Sequence, residues 1–177
     1  MKNLLIISSI LLLSGCVQKN ADNSYPSNYS YHSYNHQTSN YNSNALLSKK
    51  IERTAKSHLG KTYKWGANGP YTFDCSGFTK SVFNQHGIKI PRVSRDQAKV
   101  GQIIPWNYLK KGDLIFFDSK KSSRVSHVGI YLGEGKFIHA SSSKHRVVIS
   151  NLESNYYTKH FKWGRRVAET NMYARNY

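Results

Sequence analysis

The sequence is poor in acidic residues, in cysteine and in long apolar runs, and each shortage narrows the choice of function. Nine acidic residues stand against 26 lysines and arginines, which gives a net charge of +17 and favours a polyanion or an anionic surface as partner. With only two cysteines, the chain cannot be a small domain stabilised by several disulfide bonds. The apolar run at 4–13 is too short for the roughly 20 residues that span a bilayer. At 177 residues the chain has room for one ordinary domain and appendages.

The N-terminal 15 residues are typical of a secretory signal, because the charge of Lys2 precedes the apolar run. Leu13-Ser14-Gly15-Cys16 resembles the lipobox of bacterial lipoproteins, in which the cysteine is acylated and becomes the first mature residue. This implies a signal peptide at 1–15 and a membrane anchor on Cys16; a plain signal peptide with an incidental cysteine is the alternative. Val17 implies, by resemblance to lipoprotein sorting, the periplasmic face of a Gram-negative outer membrane. An exported lipoprotein is not expected to bind nucleic acid, despite its charge.

The remaining chain divides into a tether, a domain and a tail. Residues 16–44 are expected to be the lipidated cysteine and a disordered tether, because asparagine, serine and tyrosine dominate and aliphatic residues are scarce. From the possible N-cap Asn44, apolar residues recur at helical spacing: Leu47, Ile51 and Ala55. The domain is expected over 45–168 and a flexible tail over 169–177.

The domain changes its periodicity half-way. Helical patterns come first, and short β-branched and aromatic runs follow at Asp113–Asp118, Ser126–Leu132, Lys136–Ala140, Arg146–Ile149 and Phe161–Val167. Helices followed by strands predict an α+β domain, with N-terminal helices packed on a small antiparallel sheet of about five strands.

Cys75 is a lone thiol if Cys16 carries lipid, and it is either a reactive group or an inert core residue. It follows a loop and begins a predicted helix, which Asp74 can cap. The positive end of a helix lowers the pKa of a thiol, and its backbone amides can stabilise an oxyanion. The position therefore favours a nucleophile.

Of the eight histidines, only His127 and His139 lie within strand-like runs. If Tyr131 pairs with Gly135 across a three-residue turn, His127 faces His139, whereas a two-residue turn would put them on opposite faces of the sheet. One could then accept the thiol proton while the other orients it. Two half-exposed strand histidines without a role are the alternative.

Six ordered motifs resemble those of the NlpC-type cysteine peptidases, over roughly residues 46–168. They are Tyr63-Lys64-Trp65-Gly66, Asp74-Cys75-Ser76-Gly77-Phe78, Ile90-Pro91-Arg92, Lys111-Gly112-Asp113-Leu114-Ile115-Phe116-Phe117, Ser126-His127-Val128-Gly129-Ile130-Tyr131-Leu132-Gly133 and Phe137-Ile138-His139-Ala140. The resemblance implies a reduced papain-like fold with Cys75 as nucleophile, His127 as general base and acid, and His139 as the orienting residue. It places Tyr63 near the oxyanion site. The expected substrate-side residues are Asp74, Ser76, Arg92 and Ser126. Gly66-Ala67 departs from the family, which often has two glycines there, and questions the geometry of this loop.

The resemblance also implies a murein endopeptidase that acts on peptidoglycan stem peptides without a metal or organic cofactor. We expect the protein to be monomeric. It cuts either the bond from D-glutamate to a diamino acid such as diaminopimelate, or the D-alanine–diaminopimelate cross-link. Three alternatives stay open at this point. They are an inactive wall-binding scaffold lipoprotein, an N-acetylmuramoyl-L-alanine amidase of the related cysteine-histidine group, and a zinc site made by Cys75, His127 and His139.

Overall fold

Helices precede most of the strands along the chain, as the sequence predicts. The computed structural model describes residues 30–119 and 122–168. The helices are α1 (Ser30–Lys56), α2 (Cys75–Asn84), α3 (Ser94–Gln97) and α4 (Asn155–His160), with a 3-10 helix at Trp106–Tyr108. The strands are β1 (Thr62–Tyr63), β2 (Thr72–Phe73), β3 (Gln102–Ile104), β4 (Leu114–Ser119), β5 (Ser122–Gly133), β6 (Lys136–Ser141), β7 (Arg146–Asn151) and β8 (Phe161–Arg166).

The strands of the described residues form one eight-stranded sheet in the order β2-β1-β7-β6-β5-β4-β8-β3. The α+β class is confirmed, and the five predicted strands correspond to β4 to β8, but the expected count of about five is too low. The additional strands β1, β2 and β3 are two or three residues long, which is too short to produce an alternating pattern. Because β1 and β2 pair in parallel, the sheet is mixed rather than wholly antiparallel.

Apolar side chains pack on both faces of the sheet. On one face, Phe78 of α2 joins a cluster with Phe116 and Val128. On the other face, Phe117 and Phe137 form a second cluster. Successive residues of β4 enter different clusters because side chains alternate along a strand. The second face is the one on which the predicted catalytic histidines lie, since the His127 ring lies near that of Phe117 and the His139 ring near that of Phe137.

Helix α1 begins earlier than the sequence analysis expects. The residues before Asn44 were expected in a disordered tether, whereas the helix extends over Ser30–Lys56. No proline or glycine occurs between Pro26 and Gly60, so the sequence of α1 contains no helix-breaking residue. The buried side chain of Ile51 packs this helix against the core. Helix α1 therefore includes residues 30–44, which the sequence analysis assigned to the tether; the division into tether, domain and tail stays a prediction.

Several expectations fall outside the described residues. These are the signal peptide at 1–15, Cys16 with the tether as far as residue 29, and the tail at 169–177. They stay predictions. Within the described ranges, no helix combines the length and the apolar character that crossing a membrane requires.

Candidate active site

Cys75 is the first residue of α2 and directly follows the N-cap residue Asp74. The Asp74 carboxylate accepts a hydrogen bond from the Gly77 N–H at 2.7 Å, which satisfies one of the amides left unpaired at a helix start. The Cys75 side chain is buried, and the backbone N–H of Val128 on β5 donates to its sulfur. Because Val128 follows His127, the thiol lies against the strand that carries the predicted base.

Asp74, Ser76 and Arg92 form one hydrogen-bonded network beside the thiol. The Arg92 guanidinium donates to the Asp74 carboxylate at 2.6 and 3.1 Å and to Ser76 Oγ at 3.0 Å. The backbone N–H of Gly66 donates to the same carboxylate at 3.0 Å. These three predicted substrate-side residues therefore fix one another and the start of α2. Their direct contact with a substrate stays a prediction.

The loop before α2 closes onto the helix at Gly77. A Cβ at this position would collide with the carbonyl oxygen of Ala67, which accepts a hydrogen bond from the Asp74 N–H at 3.0 Å. Gly66 has a φ of 78° and Ala67 is not among the residues with positive φ, so only the first of the two positions favours glycine. The departure from the family pattern at Ala67 is therefore compatible with this loop.

The hairpin of β5 and β6 brings the two strand histidines together in an unexpected register. The sequence analysis pairs Tyr131 with Gly135, which would set His127 opposite His139. In the structure Tyr131 pairs with Phe137, so the predicted register is wrong by two residues. A shift of two residues keeps every side chain on its original face of the sheet, and the histidines still meet.

The turn of this hairpin explains the shift. Gly133 pairs with Lys136, which leaves a two-residue turn of Glu134 and Gly135 with φ values of 53° and 65°; positive φ at both positions is typical of the tightest hairpin turns. The register shifts between Tyr131 and Gly133, so residue 132 forms a β-bulge. The bulge restores the alternation that a two-residue turn alone would have reversed.

The two histidines form a chain with two hydroxyl groups. His127 Nε2 lies 2.7 Å from His139 Nδ1. His139 Nε2 lies 2.9 Å from Ser150 Oγ and 3.3 Å from the Tyr157 hydroxyl oxygen. For His127 to accept a proton at Nδ1, its own proton must be on Nε2, from which it donates to His139 Nδ1. The proton of His139 is then on Nε2 and points at the two hydroxyls. The arrangement can therefore fix both the tautomer and the orientation of His127.

Burial governs the protonation states of these groups. It lowers the pKa of His127 to about 4 and, together with the neighbouring His127, lowers the pKa of His139 well below its ordinary value. Burial, followed by the negative charge of Asp74, raises the pKa of Cys75, although nearby backbone N–H groups act in the opposite direction. The sequence analysis expected the helix end to lower this pKa, and burial outweighs that effect. These directions favour a neutral thiol and a neutral imidazole in the resting site.

Two clefts meet at Cys75. We call the first the arginine cleft; it has a volume of about 530 Å³ and its walls include Arg92, Arg95 and Arg124. We call the second the histidine cleft; it has a volume of about 510 Å³ and its walls include His127, His139 and Tyr157. Three residues line both clefts: Trp65, Cys75 and Ser126. A substrate that spans both clefts would therefore pass directly over the thiol.

Tyr63 also lines the histidine cleft, and its backbone N–H donates to the His145 carbonyl at 2.9 Å. Burial, and then the nearby Cys75, raise the pKa of Tyr63, so its hydroxyl keeps its proton at neutral pH. A protonated hydroxyl in this cleft can donate to an oxyanion. That role for Tyr63 and substrate contact by Ser126 stay predictions.

Comparison with known proteins identifies the family to which the chain belongs. Residues 60–166 match the NlpC/P60 family. The chain belongs to the NlpC/P60 family. Among curated relatives, the probable endopeptidase p60 of Listeria innocua is 53% identical over 89 residues, covering 50% of this chain and 19% of the relative. A gamma-D-glutamyl-L-lysine dipeptidyl-peptidase of Bacillus cereus is 41% identical over 115 residues, covering 64% of this chain and 34% of the relative. The chain thus spans about a fifth to a third of the length of these relatives.

Solved NlpC/P60 structures share the fold. A family member from Bacillus cereus superposes with a TM-score of 0.65 at 36% identity, covering 68% of this chain and 40% of that one. The NlpC/p60 domain of the peptidoglycan hydrolase SagA gives a TM-score of 0.59 at 31% identity, covering 67% of this chain and 97% of that domain. The reduced papain-like fold expected from the sequence is thereby confirmed.

Sequence reasoning missed Ser150 and Tyr157. The strand predicted at Arg146–Ile149 ends one residue short of Ser150, whereas β7 continues to Asn151. His139 pairs with Val148, and a strand that included Ser150 would have placed its hydroxyl on the same face as His139. Tyr157 lies on the six-residue helix α4, which no sequence motif of the NlpC/P60 resemblance covers.

The zinc alternative requires Cys75, His127 and His139 to converge on one ion. Each histidine instead directs one ring nitrogen at the other. In residues 30–119 and 122–168, no group of three or more histidine, cysteine, aspartate or glutamate side chains is arranged to hold a metal ion. The geometry fits a nucleophile with an oriented base better than a set of metal ligands.

Proposed function

We propose that this protein is a peptidoglycan hydrolase, a cysteine peptidase that cuts amide bonds in stem peptides. Cys75 is the nucleophile, His127 the general base and acid, and His139 the residue that orients His127. One observation carries the proposal: a thiol at the start of α2 shares a cleft with two histidines whose ring nitrogens are 2.7 Å apart. The family and the activities named for its relatives support the same reaction class.

The reaction proceeds in two steps. His127 takes the thiol proton as the Cys75 sulfur attacks the substrate carbonyl, and backbone N–H groups at the start of α2, with Tyr63, stabilise the oxyanion. His127 then donates the proton to the leaving amine, and water, activated by His127, releases the acyl group from Cys75. No metal or organic cofactor enters either step.

The bond from D-glutamate to a diamino acid is the target that we favour. The Bacillus cereus relative is named for a γ-D-glutamyl-L-lysine bond, and lysine and diaminopimelate are both diamino acids. The D-alanine–diaminopimelate cross-link is the other target, and an amidase would cut between the sugar and L-alanine. Each cleavage leaves a different pair of new ends, so product identity separates the three.

Digestion of purified peptidoglycan tests the proposal. The full chain and its Cys75→Ala variant are incubated with the polymer in reductant, and released fragments are identified by mass spectrometry. We expect fragments with a new amino terminus on the diamino acid from the wild type alone. Absence of fragments from both proteins, on walls of several compositions, would leave the inactive scaffold as the better description. Equal release by both would reject Cys75 as nucleophile.

The anchor is a separate part of the proposal. We place a lipid on Cys16, the protein at the periplasmic face of an outer membrane, and a monomeric domain on the stem peptides within its reach. Palmitate labelling that is lost in Cys16→Ala, together with density fractionation of membranes, tests the first two statements. Light scattering of the purified protein tests the third. A wild-type protein that incorporates no palmitate would contradict the anchor without affecting the catalytic proposal.

A further inference from the structure

The position of His127 decides which half of a substrate occupies each cleft. In the proposed reaction His127 protonates the leaving amine, so the amine half must lie on the side of Cys75 where His127 is found. That side is the histidine cleft. The acyl half, which becomes bound to Cys75, then lies in the arginine cleft on the other side of the thiol.

The arginine cleft is built for an anion. Its charged wall residues are Asp74, Arg92, Arg95 and Arg124. The Asp74 carboxylate is already paired with Arg92 at 2.6 Å, so these two charges compensate each other. Arg95 on α3 and Arg124 on β5 are exposed, and they bring two guanidinium groups to the cleft from different elements. Guanidinium groups suit carboxylates because their planar donors match the two carboxylate oxygens.

The expected acyl residue carries such an anion. A γ-linked D-glutamyl residue forms its peptide bond through the side-chain carboxyl group, so its α-carboxyl group is free. It is a carboxylate at neutral pH, and it becomes a neutral amide if the residue is amidated. The acid and the amide have nearly the same size and differ by one charge, so charge is the property by which the cleft would distinguish them.

We propose that Arg95 and Arg124 bind the free α-carboxylate of a γ-D-glutamyl residue in the arginine cleft, and that the protein thereby selects unamidated over amidated stem peptides. The inference rests on the proposed peptidase function and deepens it. Arg95 and Arg124 are specificity residues, because they contact the substrate away from the reacting atoms. Arg92 has a different role, since it holds Asp74 and Ser76.

Matched substrates test the selection. We would measure kcat/KM for L-alanyl-γ-D-glutamyl-L-lysine and for the same peptide with the α-carboxyl group amidated, using the full chain and the variant Arg95→Gln/Arg124→Gln. We expect the wild type to prefer the acid about 10- to 100-fold, as for a charge-assisted hydrogen-bonded pair. The double variant should lose most of this preference, with a large fall for the acid and little change for the amide. The control Lys89→Gln/Lys136→Gln removes two exposed cations that line neither cleft and should keep the preference.

A binding measurement keeps this test independent of hydrolysis. Full-chain Cys75→Ala would be titrated calorimetrically with L-alanyl-γ-D-glutamate and with its α-amide, and again after Arg95→Gln/Arg124→Gln. Tighter binding of the acid than of the amide, lost when both arginines are replaced, supports the inference. If this is found but the tripeptides are not cut, the proposed peptidase function is rejected and the inference about binding is not. Equal binding of acid and amide, or equal losses for both in the double variant, would overturn the inference whatever the activity.

Discussion

His127 and His139 meet through Nε2 and Nδ1 at 2.7 Å, although their positions differ by twelve and a hairpin turn lies between them. His139 in turn is 1% exposed and contacts two hydroxyl groups, those of Ser150 and Tyr157. A buried imidazole keeps one tautomer only if both nitrogens have partners that suit it. The two hydroxyls therefore help to decide whether His127 presents a basic nitrogen to Cys75.

Removal of both hydroxyls tests this positioning role. We expect Ser150→Ala and Tyr157→Phe each to lower kcat a few-fold, since the other hydroxyl remains, and the double variant to lower it about 10- to 100-fold, with KM little changed. The 15N chemical shifts of the His127 and His139 rings should show a mixture of tautomers in the double variant. The control Tyr108→Phe removes an exposed hydroxyl that lines neither cleft and should change neither readout. A double variant with wild-type kcat and ring shifts would contradict the role.

The raised pKa of Cys75 predicts how the resting thiol reacts. Because only the thiolate is nucleophilic, and burial keeps the thiol protonated, alkylation by iodoacetamide should quicken about tenfold per pH unit from about pH 6 to about pH 8. The measurement is the rate of Cys75 modification by mass spectrometry without substrate. Since the pKa of His127 is lowered to about 4, its ring is neutral over this range, and His127→Asn should leave the profile nearly unchanged. An alkylation rate that does not change between about pH 6 and about pH 8 in the wild type, but rises with pH in His127→Asn, would instead demonstrate a stable thiolate–imidazolium pair.

Much of the site could be predicted from sequence because it depends on local or alternating patterns. The position of Cys75 at the start of α2 could be predicted because a loop, the N-cap residue Asp74 and helically spaced apolar residues follow one another in the sequence. The prediction that His127 and His139 share a face of the sheet was correct although the predicted register was wrong by two residues, since side chains alternate with a period of two. Properties that depend on burial could not be predicted in the same way. The direction of the pKa shift of Cys75 is one, and the partners of His139 on β7 and α4 are another, because both arise only when distant segments pack together.

Gly77 offers a test of the loop that fixes the start of α2. In an ordinary helix interior, alanine is more stable than glycine by about 1 kcal/mol. Here the added Cβ would meet the backbone carbonyl oxygen of Ala67, and such overpacking costs about 1–3 kcal/mol. We therefore expect Gly77→Ala to be destabilised in urea unfolding and to lose activity as the loop moves. Ser81→Ala on the same helix should be nearly neutral. A Gly77→Ala protein more stable than wild type would show that the loop yields easily.

His58 gives the fold a dependence on acid that is separate from catalysis. Its ring is buried against Phe73 and Phe78, with centroid distances of 4.9 and 6.2 Å, and neither ring nitrogen has a hydrogen-bond partner. Burial, and then the nearby Lys61, lower the pKa of His58. The unfolded chain, with a histidine pKa near 6.5, therefore binds this proton more readily than the folded chain. The stability from the neutral ring is fully present above about pH 6.5 and is lost as the pH falls towards the folded pKa.

Replacement of His58 by phenylalanine should flatten this dependence. We expect the free energy of unfolding of His58→Phe, from urea titrations at several pH values, to fall less steeply below about pH 6.5, by at most about 1.4 kcal/mol per pH unit for one proton. Stability at about pH 7.5 should change little, because no hydrogen bond is lost. The pKa of His86 is also lowered, mainly by burial, but its Nε2 lies 2.9 Å from Thr54 Oγ1. His86→Phe should therefore flatten the curve and lower stability at about pH 7.5 as well. If His58→Phe keeps the wild-type slope, the buried ring is not one of the groups that make the fold sensitive to acid.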